Sequence, residues 1–99
     1  MLIRDIPNAF SGTVIDVRSR EEYELSHAKG SVNIPWDLHL YYLQELEELP
    51  RPWIICCEEG IRSGWVAQSL QMLGYEEVYN AGRWFDIDGE KAELLAKAA

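Results

Sequence analysis

The chain is short of the features that mark several large classes of protein. It has two cysteines in 99 residues, and they are adjacent, Cys56-Cys57. Neighbouring Cα atoms lie about 3.8 Å apart, below the roughly 4.4–6.8 Å usual for a disulfide. A bond between them would be strained, so the expectation is free thiols, a reducing compartment and hence the cytoplasm. No run approaches the roughly 20 apolar residues of a membrane span. The opening Met1-Leu2-Ile3-Arg4-Asp5-Ile6-Pro7 lacks a basic stretch followed by an apolar one, so no secretory signal is expected. Basic side chains are few: 9 Lys and Arg stand against 17 Asp and Glu, a formal charge of −8. Such a surface repels nucleic-acid phosphates and anionic lipid, and neither is an expected partner. The same charge serves solubility, and it also repels small anionic substrates at long range, screened by salt beyond about 8–10 Å. The two histidines, His27 and His39, are not at ligand spacing from the cysteines, and the cysteines lack the gap of zinc knuckles. No metal and no cofactor is expected, and both histidines read as surface or polar-network residues.

What is present reads as a single domain over residues 1–99. Apolar residues at 47% and charged residues at 26% suit a globular chain rather than a disordered one. Short β-rich runs alternate with helical patterns, the signature of an α/β sheet with parallel strands. Thr13-Val14-Ile15-Asp16-Val17 reads as a buried strand. Ser19-Arg20-Glu21-Glu22 fits a capping box, so a short helix should run to about Ser26. Gly30 turns the chain into a brief strand, Val32-Asn33-Ile34. Asp37 is placed to cap a helix over about 38–48, with Leu38, Tyr42, Leu43, Leu46 and Leu49 as its apolar stripe. Pro50 and Pro52 stop it.

Trp53-Ile54-Ile55-Cys56-Cys57 is uninterrupted and apolar, as a strand covered on both faces should be. A tight loop over 58–61 leads to a helix from about Arg62 to Leu73, with Val66, Leu70 and Leu73 inward and Gly74 as its stop. Glu77-Val78-Tyr79 reads as a further strand, 82–88 as irregular, and Glu90 to Lys97 as a final helix. Trp36, Trp53, Trp65 and Trp84 read mostly as core, with Trp36 and Trp84 as candidates for a pocket mouth.

Ligands bind beyond the carboxyl ends of the strands in such a sheet. Cys57 ends the central strand and leads directly to a helix start, where N–H groups without helical acceptors, together with the helix dipole, favour an anion. A thiolate is an anion, so this position should lower the Cys57 pKa from its free value of about 8.5. Gly60 permits the sharp bend, and Arg62 adds a positive charge across the loop. The same cradle suits a second sulfur carried on the first. Cys56 should face the other way along the strand and reads as a small apolar core residue.

These residues resemble the rhodanese-like sulfurtransferase family. One motif runs from Ile15-Asp16-Val17-Arg18-Ser19-Arg20-Glu21-Glu22-Tyr23 to His27-Ala28-Lys29-Gly30-Ser31-Val32-Asn33-Ile34-Pro35. A second is Cys57-Glu58-Glu59-Gly60-Ile61-Arg62-Ser63 with Val66-Ala67 and Leu70, and a third is Leu73-Gly74-Tyr75 with Val78-Tyr79-Asn80 and Gly82. The likeness covers about residues 13–84 in order.

The resemblance implies a three-layer sandwich with a central, mostly parallel five-stranded sheet flanked by helices. It also implies a Cys57 persulfide as covalent intermediate. A small sulfur donor such as thiosulfate, or a protein persulfide, would load Cys57, and a thiol or cyanide-like acceptor would unload it. Glu58, Glu59, Gly60, Ile61, Arg62 and Ser63 would form the binding loop, while Asp16 and Arg18 either brace it or make a purely structural ion pair. The family often places a basic residue directly after the cysteine, where this chain has Glu58 and Glu59. Carboxylates pointing inward would weaken the thiolate, whereas carboxylates pointing to solvent would matter little. Arg83-Trp84-Phe85-Asp86 departs from the family's usual glycine and aromatic-anchored turn, which leaves the pocket rim open to variation.

Two other readings compete. A non-catalytic binding or regulatory module would keep the fold without turnover. A phosphatase or arsenate reductase of the related fold would need a wider loop, and only four residues separate Cys57 from Arg62, one fewer than the phosphatase pattern.

Overall fold

The first run of β-branched residues forms β1 (Thr13–Asp16), and all four of its residues are buried. The structure, a computed structural model, describes residues 1–98. The chain continues through α1 (Arg20–Leu25), β2 (Val32–Asn33), a 3-10 helix (His39–Tyr42), α2 (Leu43–Glu47), β3 (Trp53–Cys57), α3 (Ile61–Met72), β4 (Val78–Arg83) and α4 (Trp84–Ala98). The sheet order is β2-β1-β3-β4, and every neighbouring pair is parallel. β3 therefore lies between two strands, with helices on both faces, and all five of its residues are buried. That placement is why its sequence is apolar without alternation.

Side chains along β3 still alternate in direction. Trp53, Ile55 and Cys57 join Ile15, Val17, Leu46, Val66 and Leu70 in the core beneath α2 and α3. Ile54 and Cys56 join Val14, Ile3, Ile6 and Ile87 in the core beneath α4 and the N-terminal turns. Burying side chains of this size contributes about 1.5–3 kcal/mol each. The two cysteines thus sit on opposite faces, as the strand period requires. No helix among the described residues is long and apolar enough to cross a membrane.

The α/β architecture agrees with the expected one, with four strands where five were expected. The segment before β1 holds two 3-10 turns, Ile3–Asp5 and Ala9–Ser11. Pro7 and the left-handed Asn8 (φ 57°) between them leave no extended run to pair. The helix expected over 38–48 is split. Its first turn is 3-10 and its second half α-helical, and Asp37 does not cap it. The change of pitch turns Leu38 and Tyr42 outward while Leu46 remains buried. The stretch over 82–88, expected to be irregular, carries the end of β4 and the start of α4. β4 follows buried β3 for its full length through a register shift at Ile55 and Cys56, and Gly82 takes the positive φ of 80° near that irregularity. Pairing with a central strand outweighs the local preference of an Asn-Ala-Gly stretch.

Gly12 lies directly against the chain before β3: a Cβ built there would be 2.2 Å from the carbonyl oxygen of Pro52, an atom that cannot move aside. Gly89, inside α4, has open space around its Cβ position. Urea unfolding should show Gly12→Ala destabilised by about 1–3 kcal/mol. Gly89→Ala should be stabilised by about 0.5–1 kcal/mol.

Candidate active site

Cys57 is the last residue of β3, and three residues later Gly60 reverses the chain into α3. Gly60 has φ 93°, a left-handed conformation that a side chain would strain. The turn points donors back at the cysteine. The Gly60 N–H lies 3.0 Å from Cys57 Sγ and the Ser63 N–H 3.4 Å, while Ser63 Oγ, 3.2 Å away, accepts from the thiol or turns its one proton onto the thiolate. Burial pushes the Cys57 thiol up. The Ser63 hydroxyl and the N–H groups of Ser63, Gly60 and Glu59 outweigh that and hold it below an ordinary cysteine. Cys56, on the other face, has no such cradle, and burial with Asp16 nearby drives its thiol well above the ordinary range. The two adjacent thiols are thus shifted in opposite directions.

Ser63 is held in turn by Asn80 on β4. Asn80 Oδ1 accepts the Gly82 N–H at 3.0 Å and, while Cys57 is a thiol, the Ser63 hydroxyl at 2.7 Å, and its Nδ2 donates to the Gly60 carbonyl at 3.1 Å. One amide side chain therefore ties the loop turn at Gly60 and the first turn of α3 at Ser63 to the neighbouring strand. Asn80 falls within the third sequence motif, but nothing in the sequence assigned it a role. Its signal was available only as a polar residue interrupting a buried strand.

The charged residues are arranged in two pairs. Asp16 and Arg18 are buried, at 0% and 3% exposure, at the end of β1. Arg18 donates to both Asp16 carboxylate oxygens at 2.8–3.0 Å and to the Ser26 carbonyl at 2.7 Å. It also stacks 4.4 Å from the Trp84 ring. Glu58 leans onto this group, accepting the Trp84 indole N–H at 3.0 Å and lying 3.8 Å from the Arg18 guanidinium. Its carboxylate is turned off the sulfur and partly neutralised, so the inward-pointing alternative does not describe it. Arg62, expected to add a positive charge across the loop, lines the cleft with its guanidinium already paired. It makes a two-pronged pair with Glu22 at 2.7 and 3.0 Å. Glu22 is the capping-box residue of α1, whose Oε1 also accepts the Ser19 N–H at 3.1 Å. The Arg62 hydrogen bond is the main force holding the Glu22 carboxyl down to about 2.

Cys57, Glu58, Glu59, Ile61 and Arg62 line an open cleft of about 320 Å³. Trp84 touches its rim through Glu58, whereas Trp36 packs against Trp65, 5.6 Å between ring centroids, and does not line it. His27 stacks on Tyr23, and His39 bonds the Trp36 carbonyl and Ser69, so neither enters the cleft. Among the described residues no three His, Cys, Asp or Glu side chains converge as a metal site requires. The arrangement can stabilise one anionic sulfur and, through the Ile61 and Arg62 N–H groups that open α3 without helical acceptors, a second sulfur attached to it.

A family model described as rhodanese-like domain matches residues 3–82. The Uncharacterized protein YqhL of Bacillus subtilis is 36% identical over 78 residues, which cover 79% of this chain and 61% of YqhL. Thiosulfate sulfurtransferase PspE of Escherichia coli is 33% identical over 81 residues, covering 74% of this chain and 71% of PspE. The chain thus spans about three fifths of the first of these relatives. A solved structure described as rhodanese with anions from E. coli superimposes with a TM-score of 0.66 at 32% identity, over 76% of this chain and 89% of that one.

Two outcomes follow from the geometry. Hydrogen bonds to a charged group are worth about 1.5–3 kcal/mol, so Ser63→Ala should cut the thiolate fraction of Cys57 about tenfold at mildly acidic pH. Iodoacetamide alkylation against pH would read this as an upward shift of the midpoint. The Glu22 carboxyl is depressed from 4.5 to about 2 in the folded chain. Its contribution to stability is therefore complete above about pH 4.5 and is lost as the pH falls toward 2. Glu22→Gln should flatten that part of a stability–pH curve measured by urea unfolding.

Proposed function

The chain belongs to the rhodanese-like domain family, and from that premise we propose that it is a sulfurtransferase working through a persulfide on Cys57. Rhodanese-type sulfur transfer is the activity that its relatives' names carry. The observation that carries the finer reading is the convergence of the Gly60 N–H, the Ser63 N–H and the Ser63 hydroxyl on one sulfur at 3.0–3.4 Å. That cradle supports a nucleophile whose thiolate is favoured over that of an ordinary cysteine.

In the first step the Cys57 thiolate attacks the outer sulfur of a donor, thiosulfate or a persulfide. The Cys57 S–S bond forms, the donor's S–S bond breaks, and the electron pair leaves with sulfite or the donor thiolate. In the second step a thiol or cyanide-like acceptor attacks the outer sulfur, and Cys57 departs as the thiolate again. Charge balances in both steps and no external oxidant is needed. Between them the outer sulfur is held by the loop amides.

Glu58, turned toward Arg18 and Trp84, supports turnover over a purely binding role, because it does not oppose the thiolate. Buried free thiols support a reducing compartment, and so the cytoplasm. The acidic surface disfavours nucleic acid and anionic membrane as partners.

Intact-mass measurement after exposure to thiosulfate and to organic persulfides tests the proposal. The wild type should gain one sulfur atom, Cys57→Ser none, and Cys56→Ser should gain as the wild type does. An unloaded wild type, or equal loading of Cys57→Ser, overturns it.

A further inference from the structure

The cleft that Cys57 lines has an unbalanced set of charges. Arg18 is occupied by Asp16 at 2.8 Å and by Glu58 at 3.8 Å, and Arg62 by Glu22 at 2.7 Å. Arg83, which pairs with Cys57 across the sheet, is occupied by Asp86 at 3.0 Å. Glu59 is exposed, lines the cleft, and has no cation within ion-pair distance among the described residues. Three guanidinium groups therefore stand beside five carboxylates, a surplus of two negative charges before the thiolate is counted. The amides of Gly60 and Ser63 are directed at Sγ. None of these three guanidinium groups is unpaired. Next to Glu59 the cleft wall is apolar, formed by Ile61 at 56% exposure.

Resting on the sulfurtransferase reading of this cysteine, we propose that the cleft selects its donor by charge. It disfavours the thiosulfate dianion and accepts organic persulfides that carry a positive charge beside the transferable sulfur. The cation lies toward Glu59, the organic portion against Ile61, and the outer sulfur toward Cys57. The transfer is R–S–SH plus the Cys57 thiolate giving Cys57–S–SH plus R–S⁻. The Cys57 S–S bond replaces the donor's, and the electron pair leaves with the donor thiolate. The charge surplus acts on the incoming donor rather than on Sγ: Glu58 is turned off the sulfur, but both glutamates line the path to it.

The experiment compares persulfides of cysteamine and of 3-mercaptopropionate, which have the same carbon spacing and opposite end charges, with thiosulfate as a third donor. Cys57 loading is followed by quenched-flow intact mass at about 10 mM and about 1 M ionic strength, where the Debye length is about 30 and about 3 Å. At low salt the cysteamine persulfide should load about tenfold faster than the mercaptopropionate one, and the ratio should fall toward its solution value at high salt. Thiosulfate loading should speed up as salt is added. Glu59→Lys should abolish or reverse both salt trends, with Glu59→Gln between it and the wild type. Thiosulfate loading that slows with salt, or a preference indifferent to salt and to Glu59, overturns charge selection while leaving sulfur transfer intact. Failure of every donor to load Cys57 at either salt overturns the sulfurtransferase reading and charge selection together. A lysine-flanked cysteine-peptide persulfide, added as a further donor, separates the sources of this chemistry. A KM below that of cysteamine persulfide supports a basic protein surface as the carrier, and an equal KM supports a small amine.

Discussion

Three polar groups within 3.4 Å of one sulfur are the constraint on which the rest of this structure depends. Two are backbone N–H groups, which cannot be rotated away without unwinding the loop, and they point correctly only because Gly60 adopts a positive φ. The sheet supplies the other half of the geometry. β3 is buried along its whole length, so its end is a fixed point, and the cysteine placed there has little freedom to leave the cradle. Asn80 completes the frame by joining the loop carbonyl of Gly60 and the hydroxyl of Ser63 to β4. Each contact is ordinary in strength, and their effect comes from convergence on one atom.

Around that atom the charges follow a second pattern. Arg18 and Arg62 stand near the cysteine, yet each is anchored by a carboxylate from α1 or β1. Glu22 links the cap of α1 to the first turn of α3, so the element that follows β1 helps to set the position of the loop that follows β3. Positive charge is thereby made part of the scaffold. Glu59, the loop carboxylate without a cation among the described residues, lines the cleft, so the interior around the sulfur and the cleft wall differ in electrostatic character.

Much of this was legible in the chain, for local reasons. The apolar run Trp53–Cys57 followed by a glycine turn places a cysteine at a strand end above a helix start. The Ser19–Glu22 capping box fixes the beginning of α1. The opposed directions of Cys56 and Cys57 follow from the strand period. What was not legible is contact between distant segments. The Glu22–Arg62 pair spans 40 residues, and nothing in either local sequence distinguishes it from two solvated charges. The role of Asn80 depends on β4 lying beside β3, and the direction of Glu58 depends on Trp84 opening α4. The stretch around Gly82 looked irregular because local preference governs isolated peptides, whereas here a buried neighbouring strand supplies the partners.

The placing of the two cysteines back to back across the sheet has a consequence for oxidative damage. A sulfenic acid on Cys57 would ordinarily be trapped and rescued by a nearby resolving thiol through a disulfide. Cys56 is the next residue, but it is packed in the opposite core and strongly protonated. Condensation with Cys57 would require the central strand to be torn from both neighbours. Repair of an oxidised Cys57 therefore depends on a thiol arriving from outside through the cleft that Cys57 lines.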